Sequence, residues 1–132
     1  MKQSASMENQ KFSIIERIFS FRYAYSGLKY LIRFEHNSRI HFVATLLVII
    51  TGFLLKISIT DWALLAIAIG IVWLAEIFNT AIEILVDFIS PGYDKKAGVI
   101  KDLAASGVLI AVIMAFAIGC IIFLPKLWRM IL

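Results

Sequence analysis

From Leu103 to Leu124 the chain carries no charged residue, and a stretch of that kind has few possible fates. A helix that crosses the hydrocarbon core of a bilayer needs about 20 consecutive apolar residues. Two further segments meet that length. One runs from about Ile40 to Ile59, interrupted only by His41 and Lys56; the other runs from Trp62 to Ile89, behind Thr60-Asp61 as a helix cap and with Trp62 as an interfacial anchor. With three such segments in 132 residues, a water-facing globule is ruled out, and composition agrees: 61% of residues are hydrophobic and mean hydropathy is +0.91. Abundant apolar residues exclude disorder. Seven Gly, 2 Pro and the single Cys120 exclude a collagen, a disulfide scaffold and a zinc-cysteine module. The net charge of +4 fits nucleic acid less well than a membrane face, because basic residues in an apolar chain mark the cytoplasmic loops.

The expected fold is all-α and integral to the membrane, with an N-terminal amphipathic surface helix ahead of three transmembrane helices. Residues 1–12 are polar and read as a flexible start. Residues 13–34 form the surface helix: Ser13 and Glu16 make a capping box, and Ile14, Ile18, Phe21, Tyr25, Leu28 and Ile32 recur every three or four positions between Arg17, Arg22, Lys29 and Arg33. Residues 35–132 hold the spans, at about 40–59, 62–89 and 103–124. Ser90-Pro91-Gly92 ends the second span and Pro125 closes the third, with Lys126, Trp128 and Arg129 as anchors beyond it. Basic residues cluster before the first span and at Lys95, Lys96 and Lys101. That places the N-terminus and the second loop in the cytoplasm, against the weaker vote of Lys126 and Arg129. No signal peptide is visible.

The second span carries the chemistry. Glu76, Asn79, Glu83 and Asp87 share one helix face. A charge inside a spanning helix costs about 3 kcal/mol or more, so such groups face a cavity or a partner, and three acids with no base among them call for a cation. At 1.5 Å per residue, Glu76 lies about 21 Å and Glu83 about 32 Å from Trp62, which carries the acids into the headgroup zone, with Asp87 in water. Glu35, with His36, Asn37, Arg39 and His41, and the pair Lys101-Asp102 fall at a similar level. Carboxylates with open water positions suit magnesium held jointly with a nucleotide's phosphates, and a lysine suits a phosphate as a point charge. Asp102 reads equally as a helix cap. His36 and His41, five positions apart, read as interfacial hydrogen-bonders rather than metal ligands. No Walker loop, G-x-G-x-x-G or serine–histidine–aspartate set is present. A small oligomeric proton-coupled transporter would also place a glutamate at Glu76, and a structural assembly subunit is a third reading.

The stretch Ala75-Glu76-Ile77-Phe78-Asn79-Thr80-Ala81-Ile82-Glu83, through Asp87 and on to Lys101-Asp102-Leu103-Ala104-Ala105, resembles the signature of the prokaryotic diacylglycerol kinase family. The likeness extends upstream through Tyr23, Gly27-Leu28 and Glu35. The run Glu35-x-Asn37-x-Arg39-Ile40-His41 looks more like the undecaprenol kinase branch. The resemblance implies a homotrimer in the bacterial inner membrane, with active sites shared between neighbours, transferring the γ-phosphoryl of Mg-ATP to a lipid hydroxyl. It implies Glu76 as general base, Glu35 and Glu83 as ligands of magnesium and nucleotide, and Asn79 and Asp87 in support. Tyr23, Lys101 and Asp102 would contact the nucleotide, with Gly92, Tyr93 and Asp94 as its loop. The enterobacterial branch has an arginine near the position of Glu16, where this chain offers Arg17 or Arg22. A serine of the last span is replaced by Ala105, with Ser106 beside it. Phosphoryl transfer asks mainly for positioning and charge neutralisation, so the residue types suit the role.

Overall fold

The computed structural model describes residues 14–131 and is all-helical there. Four helices follow in order: α1 Ile14–Phe34, α2 His36–Leu54, α3 Ile59–Ile89 and α4 Lys95–Ile131. The last three are long and apolar enough to cross a membrane. At 1.5 Å per residue α3 and α4 are about 46 and 55 Å long, so both outreach a hydrocarbon core about 30 Å thick. Ser13 of the expected capping box lies outside the described residues.

Several boundaries differ from the sequence reading, each for a local reason. α2 begins at His36 rather than near Ile40 and ends at Leu54, where Leu55 N–H bonds back to Thr51 O and the chain turns through Lys56 at φ 47°. The cap of α3 is Ser58, not Thr60-Asp61. Ser58 Oγ accepts from Asp61 N–H while Asp61 Oδ2 accepts from Ser58 N–H, a reciprocal capping box in which Asp61 is the inner partner. α4 begins eight positions before Leu103 because Asp94 Oδ1 accepts from the N–H groups of Lys96 and Ala97 at 2.7 and 2.9 Å. Asp102 therefore lies inside the helix and caps nothing. Pro125 also lies inside α4. A proline there removes one backbone bond, but Ile122 is buried just before it and Lys126 pairs with Asp61 at 3.4 Å just after it. Contacts on both sides thus hold the helix through the break.

Ile57, Leu65 and Ile122 form an apolar core at this end, with Val48, Leu55, Trp62, Ile118 and Phe123 packed around it. Gly52 makes the packing possible: a Cβ there would come within 2.8 Å of Trp62 Cη2, and the indole itself meets the Phe53 ring at a tilt of 50°, with 4.8 Å between ring centroids. α3 packs most extensively against α4 and much more sparingly against α2. α1 leans back on the bundle at its C-terminal end, where Leu31 is buried and Arg39 of α2 donates to the terminal carbonyls of Ile32 and Arg33. Ile15, Ile18, Phe21 and Tyr25 on α1 stay exposed, as an apolar stripe laid on a lipid surface would be.

Candidate active site

Sparse packing between α2 and α3 leaves space at the end of the bundle opposite the apolar core, and the polar residues of both helices gather there. Glu76 is 1% exposed. A carboxylate buried in an apolar helix needs a donor, and Ser38 of α2, itself wholly buried, provides it: Ser38 Oγ donates to Glu76 Oε1 at 3.1 Å. His41 Nε2 lies 3.7 Å from the other carboxylate oxygen, Oε2, which makes no hydrogen bond. One helical turn further, Asn79 Nδ2 donates to Glu83 Oε1 at 3.0 Å, leaving the buried Asn79 Oδ1 without a partner. Buried polar atoms without partners are rare in folded proteins, and here two stand within a single helical turn.

Two cavities meet here. A polar one of about 290 Å³ is lined by Asn37, Ile40 and His41 of α2, Asn79 and Glu83 of α3, and Ala105, Val108, Leu109 and Val112 of α4. A second, of about 410 Å³ and almost wholly apolar, runs between the same three helices past Thr45, Val48, Val72, Phe116 and Cys120. His41 and Val112 belong to the walls of both. A third cavity, of about 470 Å³, separates α1 from α3 between Leu28, Leu31, Thr80 and Ile84.

The sequence-predicted residues divide into those brought together and those left apart. Glu76, Asn79 and Glu83 form one polar run on α3, facing α2. Asp87, the last acid of the stripe, pairs with Lys101 of α4, the lysine expected on a phosphate. Glu35 stands at the N-cap of α2, half-buried, its side chain making no capping bond. Tyr23 is exposed on α1, Gly92 and Tyr93 are exposed between α3 and α4, and Asp102 is exposed on α4. Asp94 is committed to its helix cap. Ser38 was not singled out in the sequence, although a signal existed. Ser38, His41 and Thr45 recur at helical spacing along α2 and face α3, where Trp73 Nε1 donates to Thr45 Oγ1 at 3.2 Å.

Among the described residues no three His, Cys, Asp or Glu side chains converge as a protein-built metal cage would require. The oxygen donors present, the Glu83 carboxylate and the open Asn79 Oδ1, are of the kind magnesium takes. Magnesium bound with a nucleotide commonly uses one or two carboxylates and fills its remaining positions with phosphate and water. The donor set fits the ion.

The profile of the prokaryotic diacylglycerol kinase family matches residues 22–123. The chain belongs to that family. It is 39% identical over 114 residues to the undecaprenol kinase of Bacillus subtilis, covering 86% of this chain and 93% of that protein. It is 37% identical over 111 residues to a diacylglycerol kinase of Synechocystis, 83% of this chain but 63% of that longer protein. Against the diacylglycerol kinase of Escherichia coli K12 identity is 34% over 100 residues, 76% of this chain and 82% of the other. The chain is thus a membrane lipid kinase by family. The acid run on α3 and the polar stripe on α2 both lie inside the matched region.

Proposed function

We propose that the protein transfers the γ-phosphoryl group of Mg-ATP to the hydroxyl of a membrane lipid alcohol, undecaprenol in preference to diacylglycerol, at the cytoplasmic face of the bacterial inner membrane. One observation carries the reading: a sealed carboxylate, Glu76, pinned by Ser38 one turn from a polar cavity that holds Glu83 and Asn79. Glu76 serves as the base for the lipid hydroxyl, which needs an acceptor for its proton as the new oxygen–phosphorus bond forms. Glu83 and Asn79, with Glu35, hold the magnesium that neutralises charge on the phosphates when Mg-ATP is bound. Tyr23, Gly92, Tyr93, Asp94, Lys101 and Asp102 edge the nucleotide, with Asp87 keeping Lys101 in place. In one chain these groups are spread from α1 to α4 and leave the site open on one side. A homotrimer in which a neighbour closes each site accounts for that dispersion. The preference for undecaprenol is supported by the match across nearly the whole of an undecaprenol kinase.

The test is a mixed-micelle kinase assay with Mg-ATP and, in parallel, undecaprenol and a short-chain diacylglycerol. Phosphate should pass to undecaprenol well ahead of diacylglycerol. Preference for diacylglycerol would overturn the acceptor. Transfer to neither, by protein shown to be folded, would overturn the kinase reading and favour a proton-coupled transporter built on Glu76.

A further inference from the structure

We propose that Ser38 is a positioning residue for phosphoryl transfer: by engaging Glu76 Oε1 it leaves Oε2 as the one oxygen that receives the proton of the lipid hydroxyl. The assignment rests on the lipid-kinase reading, in which Glu76 is the base. A glutamate carries two equivalent carboxylate oxygens at the end of a side chain with several rotamers. Held by nothing, it offers either oxygen from more than one place. A base for phosphoryl transfer has to present one oxygen at one place, because a displacement of about 1 Å can cost about 100-fold in rate.

The two oxygens of Glu76 have different surroundings. Oε1 accepts from Ser38 Oγ at 3.1 Å, and Ser38 is wholly buried and lines none of the three cavities. Oε2 makes no hydrogen bond and faces His41 Nε2 at 3.7 Å, and His41 lines both the polar and the apolar cavity. Oε1 is therefore on the sealed side of the carboxylate and Oε2 on the side of the cavities. An unpaired buried oxygen is costly, so a contact serving burial alone has no reason to close one oxygen and leave the other open. Ser38 and Glu76 stand on different helices, and their bond requires α2 to keep its register against α3. Thr45, about two turns along α2 from Ser38, ties the helices a second time. Its Oγ1 accepts from Trp73 Nε1 at 3.2 Å and donates to His41 O at 2.7 Å. The two cross-helix bonds thus fall on either side of His41 along α2.

In the transfer, the hydroxyl proton passes to Oε2 as the lipid oxygen bonds to the γ-phosphorus. The bond from that phosphorus to the bridging oxygen breaks, and its electron pair leaves with ADP. Ser38 keeps its own proton throughout, shared with Oε1, and touches neither substrate; it acts through Glu76 alone.

The test uses the full chain in mixed micelles with Mg-ATP and undecaprenol. An inactive wild type overturns the lipid-kinase reading and this assignment with it; an active wild type lets the Ser38 variants decide the assignment alone. Ser38→Ala should lower kcat about 10- to 100-fold, the worth of a hydrogen bond to a charged group, with the KM for Mg-ATP unchanged. Ser38→Thr keeps the hydroxyl and should recover most of that loss. To guard against a folding defect in Ser38→Ala, Ser38→Cys, close to serine in shape and a weak donor, is measured beside it and should lose rate likewise. In the infrared, the Glu76 carboxyl band is isolated in each protein by subtracting the matching protein that also carries Glu76→Gln. That band should move in Ser38→Ala and hold its place in Ser38→Thr. Four results would overturn the assignment: folded Ser38→Ala or Ser38→Cys turning over close to the wild-type rate, a KM for Mg-ATP that rises in step with the fall in kcat, Ser38→Thr turning over no faster than Ser38→Ala, or a Glu76 band unmoved in Ser38→Ala.

Discussion

The two ends of α3 are made of the same kind of helix and treated in opposite ways. At the Ser58 end the polar groups pair with one another: Ser58 and Asp61 cap each other, Asp61 also binds Lys126, and Leu65 is closed over by Ile57 and Ile122. At the Glu76 end the helix buries a carboxylate and an amide with one oxygen each unpaired, beside open cavities. A membrane helix tolerates a buried charge only against a cost of about 3 kcal/mol or more. The closed end ties α3 to α4 through the Asp61–Lys126 pair and the Leu65–Ile122 contact, while the other end leaves two buried oxygens unsatisfied. The contrast separates scaffold from site, and substitutions at the two ends should separate stability from turnover.

The largest effect belongs to Glu76→Gln. The amide still accepts from Ser38, and a buried charge is removed, so the melting temperature should hold or rise while phosphoryl transfer falls about 100- to 10,000-fold. A lowered melting temperature would make Glu76 a structural residue and erase the contrast. Next comes Glu83→Gln, which should weaken apparent Mg-ATP binding about tenfold, near 1.4 kcal/mol, with the KM for lipid unchanged. An unaltered magnesium titration would remove Glu83 from the ion's neighbourhood. At the closed end, Gly52→Ala drives a methyl into Trp62, which Phe53 holds in place, and should destabilise by about 1–3 kcal/mol with kcat per folded molecule preserved. Ser58→Ala should cost about 1 kcal/mol, read as a shift in thermal midpoint. The smallest effect is of opposite sign: Lys56 holds φ 47° in the α2–α3 turn, and Lys56→Gly should stabilise by up to about 1 kcal/mol.

The same contrast shows what could be read in the sequence. Span number and the acid stripe of α3 follow from long-range hydropathy and helical spacing, which local detail cannot overturn. Helix ends depend on which of several nearby polar residues captures the free N–H groups, and hydropathy is blind to that choice. Ser58 takes the role that Thr60-Asp61 was expected to play, and Asp94 starts α4 a full eight positions before Leu103. Pro125 reads as a stop, but packing on both sides of it decides otherwise. Within the site, Asp87 was grouped with the other acids because they share a face, while its partner Lys101 comes from another helix and has no signature along α3. Ser38 was missed for the converse reason: a serine between Asn37 and Arg39, at the polar start of α2, carries no weight until it is set in register with His41 and Thr45 and opposite Glu76.

The most direct test is to measure, side by side and per folded molecule, Mg-ATP-dependent phosphorylation of undecaprenol and the thermal midpoint for Glu76→Gln and Gly52→Ala. The account predicts a crossed result: Glu76→Gln melts no lower than wild type but transfers almost no phosphate, and Gly52→Ala melts lower yet turns over at the wild-type rate. Glu76→Gln retaining turnover, or both variants losing stability and turnover together, would contradict the division of α3 into a scaffold end and a catalytic end.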